Sequence, residues 1–178
     1  MQLNEPYRTI LGHFRHEVGH YYWDRFFADE ENAAALRSVF GDEREDYAEA
    51  LKRHYETGAP VLWQENFISS YATTHPWEDW AETWAHYLHM ADALETAASI
   101  GLSLAPRGAN EPSLELSGHQ PESFDTMVES WFSLTYVLNN LNRGLGFPDG
   151  YPFILSDAVV QKLRFVHEII GKRTSSQR

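Results

Sequence analysis

The 178-residue chain carries a formal charge of −12, has no cysteine and shows no Lys/Arg-rich run ahead of its C-terminal tail. A disulfide framework and a thiolate metal site are therefore excluded, and neither nucleic acid nor an anionic membrane is an expected partner. The length suits one domain with a substantial core, and six Trp, nine Tyr and ten Phe supply large side chains to pack it. No apolar run approaches the roughly 20 residues of a membrane span and no signal peptide opens the chain, so a cytoplasmic protein is expected.

Helical periodicity dominates, and no alternating strand stands out. A first helix is expected from about Glu5 to Phe27 and a short one from Glu30 to Val39. Gly41 and Asp42 stop and restart the chain, with Asp42 and Glu45 at capping-box spacing. The helix that follows runs through Tyr55 to a stop at Thr57 and Gly58. Pro60 opens a stretch, Val61 to Tyr71, that reads as helix. Thr73 to Pro76 form a break and a cap, and a second long helix extends from Trp77 to about Ser99. Residues 101–120 carry Gly, Pro and Ser throughout, a loop of functional or mobile length. Helix resumes at Pro121 and Glu122 and continues to about Arg143, where Asn139, Asn140, Asn142 and Arg143 cluster as capping groups. An irregular Gly/Pro connection leads to Ser156, which caps a last helix to about Ile170. Residues 174–178 read as a disordered tail. The pattern as a whole describes a single helical domain over residues 1–173.

The chemistry gathers at His16-Glu17-Val18-Gly19-His20, an H-E-x-x-H pattern. Positions i and i+4 lie on one helix face, so both imidazoles can reach one metal. Glu17 projects beside His16, close enough to hold a water on that metal and take its proton. A helical wheel puts His13, His16, Glu17, His20 and Asp24 in one stripe. Tyr7, Ile10, Leu11, Phe14, Val18, Tyr21 and Tyr22 fall on another arc, which reads as the core face. Gly19 leaves room for a close neighbour.

A catalytic zinc takes three protein ligands and keeps one open position, and without cysteine the third ligand is His, Asp or Glu. The helix from Trp77 offers Glu78 and Glu82 one turn apart, with His86 and His89 on roughly the same stripe. Trp77, Trp80, Trp84, Leu88 and Ala91 occupy the opposite arc. Of two stacked carboxylates, one can ligate the metal and the other can accept the free N–H of a ligating histidine, fixing its tautomer.

These residues resemble the gluzincin metallopeptidases, which pair H-E-x-x-H with a downstream glutamate helix. The stretch Glu78 to Glu82 looks like the corresponding helix of lethal-factor-type peptidases. That likeness implies Glu78 as third zinc ligand and Glu82 as the group that orients a ligand histidine. It also implies an active-site tyrosine seven residues before the ligand glutamate, which here is Tyr71. A closer resemblance covers much of the chain: Glu5 to Glu17, Gly19 to Asp24, Phe67 to Ala72, His75 to Tyr87 and Tyr151 to Ser156 are similar to a bacterial family of putative zinc-binding metallopeptidases. It implies a zincin-like core, in which a β-sheet commonly precedes the active-site helix; no such strand is visible here, so the expected fold is mainly α, a helical core with that N-terminal β-sheet reduced or absent. It implies, too, a longer protein with a metal-binding ribbon and further chain before Glu5, whereas Met1 stands only fifteen residues before His16.

The expected activity is zinc-dependent peptide hydrolysis on a peptide or protein substrate. His16, His20 and Glu78 hold Zn2+, Glu17 is the general base, Tyr71 steadies the oxyanion and Glu82 orients a ligand histidine. The alternative is a non-catalytic, zinc-stabilised helical interaction module, marked by a fourth protein ligand that closes the site. A di-metal carboxylate bundle would need a second Glu-x-x-His, and the chain has none outside Glu17 to His20. His13 reads equally as a support for a ligand or as solvated rim, and His75 equally as a functional group or a helix cap. His86 and His89 read as support or core groups, and His54, His119 and His167 take no role.

Overall fold

The computed structural model describes residues 9–28, 30–116 and 123–175. Among them the chain is mainly helical: α1 (Ile10–Phe26), α2 (Glu30–Phe40), α3 (Tyr47–Thr57), α4 (Pro76–Ser99), α5 (Phe124–Gly144) and α6 (Asp157–Ser175). The β-structure of the described residues is one small ladder, β1 (Ser103–Leu104) antiparallel to β2 (Leu114–Glu115). It lies inside the long loop, where the sequence pattern suggests no strand. No helix among the described residues is long and apolar enough to cross a membrane. Two compact units form, one from Met1–Tyr87 with Phe153–Arg178 and the other from Leu88–Pro152.

Side-chain caps set several helix ends. Thr9 is extended (φ −82°, ψ 163°) and accepts from Gly12 N at 3.0 Å, so α1 begins at Ile10. The start expected near Glu5 lies outside the described residues. The Asp42–Glu45 box does not form, because Asp42 instead accepts from the Arg44 backbone and guanidinium at 3.0 and 2.7 Å. Asp46 caps α3, accepting from Glu49 N at 2.9 Å. Gly58, at φ 74°, ends that helix where expected. The restart at Pro121 and Glu122 lies outside the described residues, and Ser123 caps α5. Ser156 caps α6 through Val159 N. That helix runs to Ser175, past the expected end at Ile170, and the remainder of the tail, residues 176–178, lies outside the described residues.

The helix expected over Val61–Tyr71 does not form. Leu62 takes the left-handed conformation at φ 60°, which interrupts a right-handed helix. Two short 3₁₀ turns, Trp63–Glu65 and Tyr71–Thr73, carry the chain instead. The Asn66 carbonyl, which a helix would use internally, accepts from Lys162 Nζ at 2.6 Å.

The orientation of α1 is the largest departure. Ile10, Leu11, Phe14 and Tyr21 are exposed, Ile10 at 93%, while Gly12, His16 and Gly19 are buried. The cause is the neighbour. A Cβ on Gly19 would stand 3.0 Å from Ala81 Cα and 3.2 Å from Trp84 Cβ, and Trp80 Nε1 donates to the Gly19 carbonyl at 2.9 Å. Only glycine permits helices so close. The face that carries Gly19 also carries His16, so the histidine side turns toward α4 and Ile10, Leu11, Phe14 and Tyr21 turn away, while Tyr22 packs 4.9 Å from Trp84.

The first unit packs around Trp80, which is fully buried. Rings of Trp23, Phe27, Phe40 and Phe165 meet it edge-on, with centroids 5.1–6.4 Å away. Val159, Leu163 and Val166 of α6 are also fully buried. Between them Lys162 reaches Asp79 Oδ2 at 2.6 Å and lies 4.2 Å over the Phe67 ring. In the second unit Trp131 packs edge-on to Tyr151 at 4.8 Å. Asn139 exchanges two hydrogen bonds with the Tyr151 backbone, both 2.9 Å, and Asn142 donates to the Pro148 carbonyl. These asparagines tie the 144–152 connection back onto α5 rather than cap the helix.

Candidate metal centre

Two helices supply two residues each, one turn apart: His16 and His20 from α1, Glu78 and Glu82 from α4. His16 Nε2 lies 3.0 Å from His20 Nε2 and 3.0 Å from Glu78 Oε2, and His20 Nε2 lies 3.4 Å from that same oxygen. The other nitrogen of His16, Nδ1, is 2.7 Å from Glu82 Oε1. A proton on Nδ1 leaves the Nε2 lone pair facing the other two atoms. Three lone-pair atoms thus converge, Glu78 Oε2 is buried without a hydrogen-bond donor, and a cation between them would relieve the arrangement. His16, His20 and Glu78 could hold a metal ion. Two imidazoles and a carboxylate, with no sulfur, suit zinc.

Without a metal, protons carry the compensating charge. Burial would lower the pKa of His16, but hydrogen bonds with Glu78 and Glu82 outweigh it and raise it to about 9. Burial likewise works to raise Glu78, and the His16 and His20 imidazoles beside Oε2, with the Tyr47 hydroxyl on Oε1, hold it well below the usual carboxylate range. Glu82 shifts down in the same way through His16.

An outer set of groups fixes these side chains. Glu82 Oε2 accepts from Ser69 Oγ at 2.6 Å, and Ser69 Oγ accepts from Ala72 N at 3.1 Å. Tyr47 OH donates to Glu78 Oε1 at 2.6 Å. The Tyr71 ring lies 6.0 Å from the His16 ring, and its hydroxyl is hydrogen-bonded to Tyr47. Burial and the charge of Glu78 push Tyr71 far above the usual phenol range, so it is a proton donor at any physiological pH. His75 accepts from Trp77 N at its Nδ1 and reaches the Glu45 carbonyl from Nε2, both at 3.1 Å. It caps α4. Trp77 packs its ring 4.1 Å from that of His20.

Glu17 is exposed, 3.7 Å from the still more exposed His13. His13 therefore belongs to the rim. His86 is buried against Phe153 at 4.4 Å, and His89 is buried. Tyr47 and Ser69 escape a sequence reading, because each meets its partner across a gap in the chain that no spacing rule covers. Ser69 had one signal, its place in the Phe67 to Ala72 resemblance, whereas Tyr47 had none.

The comparisons with known proteins bear on this geometry. A family model described as "putative zinc-binding metallo-peptidase" matches residues 1–169. The chain belongs to this family. Uncharacterized proteins of Mycobacterium bovis and Mycobacterium tuberculosis are similar to this family member, each 48% identical over 173 residues, 97% of this chain and 49% of theirs. The chain spans about half the length of the curated relatives it matches. No solved structure matches it. For a member of a zinc-binding family, a cysteine-free cluster of two histidines and a glutamate is a donor set of the right chemistry.

Proposed function

We propose that the chain is the active domain of a zinc-dependent metallopeptidase that hydrolyses peptide or protein substrates. His16, His20 and Glu78 would hold the ion, and Glu82 would fix the His16 tautomer through Nδ1. The observation that carries the reading is the convergence of His16 Nε2, His20 Nε2 and Glu78 Oε2 within 3.4 Å while Glu82 occupies His16 Nδ1. When bound, zinc supplies a Lewis acid that acidifies water toward about pKa 7 and polarises a peptide carbonyl. Glu17 is solvent-exposed, open to an incoming substrate and its water. It takes the proton as water adds to the carbonyl and returns it to the leaving amine. The Tyr71 hydroxyl turns from Tyr47 to the developing oxyanion, a donation worth roughly 3–4 kcal/mol in comparable sites.

Among the described residues no fourth histidine or carboxylate joins the cluster, which favours an enzyme over a closed structural zinc module. The test is Glu17→Gln assayed on a peptide library. The variant should keep its metal and lose turnover by at least about 100-fold. Turnover at the wild-type rate would remove Glu17 from the chemistry.

A further inference from the structure

Glu78 has two oxygens in different situations. Oε2 faces His16 and His20, while Oε1 accepts the Tyr47 hydroxyl at 2.6 Å. Glu78 is 2% exposed, so solvent offers Oε1 little in exchange. Tyr47 is itself firmly set. Asp46 caps the helix it opens, and the Glu45 carbonyl before it takes His75 Nε2 at 3.1 Å. His75 is also the residue whose carbonyl accepts Glu78 N at 2.9 Å. The Tyr47 ring is wedged edge-on between His75 and Trp77, with centroids 5.4 and 5.6 Å away.

We propose that Tyr47 is a positioning residue that makes Glu78 a one-oxygen ligand, holding Oε1 so that only Oε2 is offered to the metal. The inference rests on the reading of Glu78 as a ligand. A carboxylate can grip a metal with one oxygen or with both, and a hydroxyl bonded to one of them opposes the second mode. With Oε1 released, the carboxylate would swing to chelate and fill the coordination position that a catalytic site keeps for water. Tyr47 thereby protects that open position without touching the metal or the substrate.

The test uses metal binding rather than activity. Cobalt(II) is loaded into wild type, Tyr47→Phe, Tyr71→Phe and Glu78→Ala, and affinity is read by chelator competition alongside the visible spectrum. Tyr47→Phe should show the fainter visible bands of a higher coordination number, with the added oxygen keeping its affinity at or above that of wild type. Tyr71→Phe leaves the Tyr47–Glu78 bond in place and should match wild type in both readouts. A wild-type spectrum or a weaker affinity in Tyr47→Phe, with metal lost in Glu78→Ala, would overturn the role of Tyr47 alone. Metal retained in Glu78→Ala would overturn the ligand reading beneath it. Wild-type protein gives a measurement that no folding defect can disturb. Zinc loading should produce the wide infrared splitting of a one-oxygen carboxylate, and a narrow, chelating splitting would overturn the proposal.

Discussion

Lys162→Met should be among the most damaging single substitutions in the first unit. Lys162 Nζ reaches Asp79 Oδ2 and the Asn66 carbonyl, each at 2.6 Å, and the two side chains are 9% and 1% exposed. Burial pushes the Asp79 carboxyl up to about 7 even with the Lys162 ammonium pulling it down. Removing the ammonium leaves a buried carboxylate with no countercharge, a loss that costs about 3–5 kcal/mol. Because the carboxyl stands near 7 even beside Lys162, the variant escapes part of that loss by protonating Asp79, most readily at low pH. The sign with pH follows. Without the ammonium the folded value rises further, so the variant keeps a proton on Asp79 that the wild-type fold gives up above about 7. The loss relative to wild type is therefore smallest below about pH 7 and grows by about 1.4 kcal/mol per unit as pH rises above it, up to the variant's own folded value. Urea unfolding of variant and wild type, followed by tryptophan fluorescence at about pH 6 and about pH 8.5, reads both effects. Asp79→Leu with Lys162→Met removes both charges and should recover most of the loss. A loss below about 1 kcal/mol for Lys162→Met, or a double variant no better than the single, would refute the reasoning.

Two further substitutions probe the helix contact and the site. Gly19→Val pushes a side chain into Ala81 and Trp84, where even a Cβ comes within 3.0 Å of backbone. It should cost about 1–3 kcal/mol, although valine suits a helix better than glycine does, and an unchanged or higher melting temperature would contradict the close packing. Tyr71→Phe should lower kcat by about 100–1000-fold with metal content unchanged. Wild-type kinetics would make Tyr71 a packing residue.

How much of this is legible in the sequence differs by element. The long helices are, because their caps and periodicity are local: α2, α4 and the C-terminal end of α3 fall within a residue or two of expectation, whereas α3 starts at Tyr47 under an Asp46 cap rather than after Asp42. The pairing of His16 with His20 and of Glu78 with Glu82 is also a local spacing, and α1 and α4 bring the two pairs together. The facing of α1 is not local. Its apolar arc of Ile10, Leu11, Phe14 and Tyr21 reads as core, yet those side chains are exposed. The Gly19–Ala81 approach decides the matter, and no property of α1 by itself encodes it. Val61 to Tyr71 reads as helix because its composition permits one, but Leu62 turns left-handed and Lys162 claims the Asn66 carbonyl from a distant helix. Tyr47, Ser69 and Lys162 are illegible for the same reason: each partner lies across a chain gap of 13 to 96 residues.

Metal content tests the central claim most directly. Wild type, Glu17→Gln and Glu78→Ala would be purified, dialysed against zinc, and measured by elemental analysis. One zinc per chain in wild type and Glu17→Gln, lost in Glu78→Ala, is the predicted result. No zinc in any of the three after refolding with excess metal, or full occupancy in Glu78→Ala, would contradict the His16–His20–Glu78 centre.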